Sequence, residues 1–174
     1  MKKFYITLLV VVSVLVTAGV ASANPPDSKN FVSPLSGGEE VPARDTNARG
    51  NAIFNLREDG LSYRLIVANI ENVVAAHIHC AAVGVSGPVG VNLFTGGTPG
   101  SGRVDGILAE GTITAPNPGN GCGWVTLADV LAAMRSGNAY TNVHTNDGVA
   151  PTNTGPGDFP GGEIRGQIRE AGPS

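Results

Sequence analysis

The stretch Ala52-Ile53-Phe54-Asn55-Leu56-Arg57-Glu58-Asp59-Gly60-Leu61-Ser62-Tyr63-Arg64-Leu65-Ile66-Val67 decides the fold class. Ala52, Phe54 and Leu56 alternate with Ile53, Asn55 and Arg57, and Leu61, Tyr63, Leu65 and Val67 alternate again after Asp59-Gly60. A period of two places each set on one side of an extended strand, and Asp-Gly is a hairpin turn signal, so the stretch predicts a β-hairpin. The same grammar continues outward. Val74 to Cys80, Val89 to Leu93, Arg103 to Thr114, Tyr140 to Thr145 and Glu163 to Arg169 read as further strands, the third interrupted at Gly106 and Gly111. Residues 95–102 and 115–123 are Gly/Pro/Asn-rich loops. One helix stands out: Thr126 caps it, Asp129 sits three residues on, Leu127, Val130, Leu131 and Met134 share a face, and Gly137 ends it. Seven or so short strands at this spacing predict a mainly β chain, an antiparallel β-sandwich with one short helix.

Composition agrees. The chain has 174 residues, 25 of them Gly and 12 Pro, with 5% aromatic and 14% charged residues. That suits one turn-rich globular domain better than a helical bundle or a disordered tail. A formal charge of −3 supplies no basic excess to neutralise phosphates, which argues against nucleic-acid binding. At the N-terminus Lys2 and Lys3 precede an uncharged run from Phe4 to Val20, and Ala21-Ser22-Ala23 follows as a cleavage signature. Residues 1–23 therefore read as a secretory signal peptide, leaving no membrane span after cleavage. Residues 24–34, with three prolines, read as a linker; 35–170 form the domain and 171–174 a tail.

Export changes the meaning of the two cysteines. Cys80 and Cys122 would meet an oxidising compartment, where a pair forms a disulfide; the alternative is a thiol metal ligand, since Cys80 adjoins His79. The three histidines are concentrated in two strand patterns, Ala76-His77-Ile78-His79 and Asn142-Val143-His144. On a strand, His77 and His79 share a face opposite Val74, Ala76, Ile78 and Cys80. If the two strands are neighbours, His144 completes a three-histidine site, and neutral imidazoles suit copper or zinc. The plainer alternative is three hydrogen-bonded histidines and no ion. In Glu163-Ile164-Arg165-Gly166-Gln167, Glu163 and Arg165 share the face away from Ile164. They read either as an imidazole-orienting carboxylate with an anion-attracting guanidinium, or as an ion pair on a solvated face.

Several separated motifs resemble the CHRD domain, first described in chordin proteins and widespread among exported microbial proteins. They are Leu35-Ser36-Gly37-Gly38-Glu39-Glu40-Val41-Pro42, Gly50-Asn51-Ala52-Ile53-Phe54, Ala76-His77-Ile78-His79, Asn142-Val143-His144-Thr145 and Pro160-Gly161-Gly162-Glu163-Ile164-Arg165-Gly166-Gln167. The resemblance implies an extracellular β-sandwich; with the signal peptide and the absence of a catalytic grouping, the expected protein is a monomeric binding or structural module, secreted or held in the periplasm or at the cell surface, with an extracellular ligand or a metal ion as partner. A weaker pattern is similar to copper/zinc superoxide dismutase: an HxH strand, a later Val-His strand and Arg165 near the C-terminus of a Greek-key sandwich. It implies the alternative of a copper-dependent redox protein with dismutase-like activity, although no histidine remains for a bridging ligand or a zinc subsite. No G-x-S-x-G, P-loop or H-E-x-x-H motif supplies another catalytic grouping.

Overall fold

The computed structural model describes Met1 and residues 29–172. The expected signal peptide and its cleavage point lie outside the described residues, as does the start of the expected linker. Among the described residues the elements run β1 (Asn30–Ser36), β2 (Arg49–Arg57), β3 (Gly60–Glu71), β4 (Val73–Cys80), β5 (Val89–Phe94), β6 (Arg103–Ile113), α1 (Leu127–Arg135), β7 (Ala139–Thr145), β8 (Ile164–Gln167) and β9 (Arg169–Glu170). A 3-10 turn at Gly37–Glu39 follows β1.

The hairpin that decides the fold class is β2–β3. Ala52 pairs with Leu65, Phe54 with Tyr63 and Leu56 with Leu61. Ala52, Phe54, Leu61, Leu65 and Val67 are buried, as the alternation predicts. All strand pairings are antiparallel, in the order β5-β4-β7-β8-β1-β2-β3-β6, with β9 on β1. The right-handed twist of strands curls so long a sheet. Its ends, β5 and β6, come close together, and the Tyr63 hydroxyl donates to the Leu93 carbonyl at 2.8 Å, tying β3 to β5. The result is a nearly closed, sandwich-like roll around one core that includes Phe31, Phe54, Ile78, Val143 and Ile164.

Four expectations need correction. First, the linker expected over residues 24–34 ends sooner, because β1 starts at Asn30. Prolines and polar residues disguise this strand, yet Phe31 is fully buried and pairs with Phe54. Pro34, which has no N–H to donate, falls between the residues that pair with β9 (Phe31, Val32) and the one that pairs with β8 (Ser36). Second, Val73 rather than Val74 is buried in β4, because the register shifts between Val73 and Ala75. Cys80, at the strand end, is only half-buried. Third, Gly106 and Gly111 do not interrupt β6; irregularities in its pairing with β3 absorb the local misfit. Fourth, the last strand is split into β8 and β9, and Glu163 lies just before it.

The helix follows its signals. Thr126 accepts from the Asp129 N–H, and Asp129 reaches back to the Thr126 N–H at 2.8 Å. Gly137, at φ +70°, occupies the left-handed region that glycine tolerates best. Val130, Leu131 and Met134 are its buried face. Cys80 and Cys122 form a disulfide with an S–S distance of 2.06 Å, so neither is a free thiol and the thiol-ligand alternative falls. Among the described residues no helix is long and apolar enough to cross a membrane.

Candidate metal centre

The condition for a three-histidine cluster is adjacency of two strands, and β4 and β7 are adjacent. Their register sets Ala75 against His144, His77 against Asn142 and His79 against Tyr140. Alternation then puts His77, His79 and His144 on one face, away from buried Ala76, Ile78 and Val143. One ligand nitrogen from each histidine can be chosen so that all three lie within 4.8 Å of one another. Three nitrogens bound to one ion at about 2.0–2.1 Å stand about 3.3–4.1 Å apart, so an ion on all three would require the rings to shift and His144 Nε2 to leave its hydrogen bond with His77.

Two backbone carbonyls fix the tautomers. A carbonyl can only accept, so His79 Nδ1–H donates to Gly87 at 2.9 Å and His144 Nδ1–H donates to Pro160 at 2.9 Å. Each ring then carries its lone pair on Nε2. The His144 lone pair faces His77 Nδ1 at 3.0 Å, which makes His77 the donor there. His79 Nε2 is buried with no hydrogen-bond partner. A buried polar nitrogen without a partner is costly in a folded protein, and an ion shared with the neighbouring rings would give it one. Burial, followed by the neighbouring imidazoles, lowers the pKa of His77 to about 4. Burial likewise lowers that of His79 to about 4 and depresses that of His144. The three rings are neutral at neutral pH, the form that binds metals.

Tyr140 stacks on His79, with ring centroids 4.8 Å apart and planes 11° from parallel. The Arg165 guanidinium packs on the same tyrosine, 3.5 Å from its ring centre. Arg165 is 2% exposed and donates to the Ala82 carbonyl at 3.2 Å. The expectation of a solvated face fails here because residues around Gly87 and around Glu40 roof this side of the sheet. Glu163 departs further from both expectations. It is fully buried, and its carboxylate accepts from Thr46 Oγ1 at 2.6 Å, Thr145 Oγ1 at 2.7 Å and the Gly157 N–H at 2.9 Å. Thr145 projects opposite to His144 along β7, so Glu163 neither orients an imidazole nor pairs with Arg165.

The carboxylate that does approach the histidine side is Glu40. It accepts from Asn142 Nδ2 at 2.7 Å, and burial raises its pKa to about 7 against the pull of Arg165 and Arg44. Tyr140 lies on the His144 face of its strand by alternation alone, but Glu40, Gly87 and Pro160 escape a reading of the sequence because loops deliver them. The only sequence signal is the presence of Glu40 and Pro160 within the two glycine-rich motifs.

The chain is thus a nearly closed antiparallel β domain with one disulfide and three clustered histidines. The chain belongs to the CHRD domain family, which matches residues 31–168 and so starts within β1. No curated protein and no solved structure matches it.

Proposed function

We propose that this CHRD-domain protein is an exported binding module that holds one copper or zinc ion through His77, His79 and His144. The observation that carries the reading is the convergence of three neutral imidazoles, two of them fixed by carbonyls, around the unpartnered Nε2 of His79. Imidazole ligands select these borderline metals over calcium or magnesium. The Lys2-to-Ala23 pattern and the Cys80–Cys122 disulfide support export to an oxidising compartment. A three-ligand set leaves a coordination position open, which supports a second reading, a copper-dependent redox protein; copper-dependent loss of superoxide by the pure protein would favour it.

The deciding experiment is elemental analysis of untagged protein from an exported preparation, beside His77→Ala/His79→Ala. About one equivalent of copper or zinc in the wild type, lost in the variant, is the expected result. No metal in either protein after loading with both ions overturns the reading.

A further inference from the structure

The ring of His79 is set by a backbone hook, and the disulfide closes over that hook. The loop between β4 and β5 returns so tightly that a Cβ on Gly87 would sit 1.9 Å from the Cys80 carbonyl oxygen. The Cys80 N–H donates to Pro88 at 3.1 Å, and the Tyr140 hydroxyl meets both Gly87 backbone groups, at 3.1 and 3.3 Å. A Cβ on Gly121 would stand 2.6 Å from Pro88 Cβ. Both sulfurs lie against the Pro88 carbonyl, Cys80 Sγ at 3.7 Å and Cys122 Sγ at 3.4 Å. Gly87-Pro88 is thus pinched between the end of β4 and the Gly121-Cys122 segment, and the disulfide is the covalent part of the pinch. We infer that the Cys80–Cys122 disulfide is a positioning device for the histidine site, so that metal affinity depends on its redox state.

The inference rests on the metal reading above and adds its regulation. Reduction by an external dithiol delivers two electrons and two protons, converts the S–S bond into two thiols and releases the reductant as its own disulfide. Both cysteines are half-buried rather than sealed, so a reductant can reach them. The loop over Pro88 would not detach altogether. Its start stays on β5 through Asn117 N–H to Gly90 at 2.9 Å and Asn92 N–H to Asn117 Oδ1 at 3.1 Å. Cys122 N–H also stays on Asn120 Oδ1 at 3.1 Å, so reduction frees only the covalent tie to Cys80 and leaves the Gly87 carbonyl held by the Tyr140 hydroxyl and the Cys80–Pro88 hydrogen bond alone. Loss of such an outer hydrogen-bond partner weakens metal binding about 10–100-fold.

The test compares oxidised wild type, wild type reduced by a dithiol that is then removed under argon, and Cys80→Ser/Cys122→Ser. Zinc affinity is read by competition with a chromophoric chelator, and the His79 tautomer by ring nitrogen NMR on metal-free protein. Circular dichroism checks that each form is folded. The expected result is an affinity about 10–100-fold lower in both altered forms, restored by reoxidation, with His79 passing from one Nδ1–H tautomer to a mixture. An unchanged tautomer in folded, disulfide-free protein overturns the inference whatever the metal does. Tighter zinc binding by reduced wild type than by the serine variant also overturns it, because the thiols would then be ligands. If oxidised wild type takes up no zinc or copper, the metal reading fails while the tautomer still judges the clamp.

Discussion

Replacing Glu40 by glutamine should make the metal-free protein markedly more acid-sensitive. The reason is a near-cancellation between opposing titrations. His79 has a folded pKa of about 4 against an ordinary 6.5, chiefly from burial. Its contribution to stability is complete above pH 6.5 and is lost as pH falls towards 4. Glu40 has a folded pKa of about 7 against 4.5, again chiefly from burial. Its contribution is complete below pH 4.5 and is lost as pH rises through 7. Acidification from pH 7 to 4.5 therefore costs about 2–3 kcal/mol at His79 and returns about 2–3 kcal/mol at Glu40. What remains in the wild type is the loss at His77, reduced by its greater exposure, and at His144. The amide of Glu40→Gln keeps the shape and cannot titrate, so the variant loses about 2–3 kcal/mol more than the wild type over the same interval. Urea unfolding in EDTA at several pH values between 7 and 4.5 measures this directly. Parallel stability–pH curves for the two proteins would refute the assignment of a buried, protonatable carboxyl beside the histidine face.

Three further outcomes follow from the packing. Gly166→Ala should lower stability by about 2 kcal/mol or more in chemical unfolding, because its Cβ would lie 2.1 Å from the Pro34 carbonyl oxygen and force β8 away from β1. Glu163→Gln should cost about 1–3 kcal/mol in the same assay, since the amide oxygen can keep Thr145 and Gly157 while the Thr46 hydroxyl loses its acceptor and must turn to accept from the amide N–H. Thr126→Ala removes the cap of α1 and should cost about 1 kcal/mol in thermal or chemical unfolding without changing metal content.

What the sequence revealed follows from where the controlling contacts lie. The β2–β3 hairpin is legible because its partners are a turn apart and its alternation is unbroken. The cap at Thr126 and the stop at Gly137 are legible for the same local reason. The three histidines are legible as candidates, but their meeting depends on β4 lying beside β7, which only the sheet order supplies. β1 is hidden because Pro34 and its polar neighbours look like linker, while the burial of Phe31 against the β2 strand is a tertiary fact. The Glu163/Arg165 face misleads because alternation says which side a residue takes and not what covers that side. Segments near Glu40 and Gly87 cover it and turn Arg165 into a buried, stacked guanidinium.

His77 and His144 are 67 positions apart in the chain, with β5, β6 and α1 between them. Local hairpins can close early, whereas the β4–β7 contact waits for that whole excursion to be placed. Until then the polypeptide offers an ion only the His77/His79 pair and a distant single imidazole. The three-histidine cluster is a property of the finished fold, and an ion held by it would add its free energy only to that state. If the proposed ion binds, the surroundings in which the last strands close, rather than those in which the chain is synthesised, would decide which one is taken up.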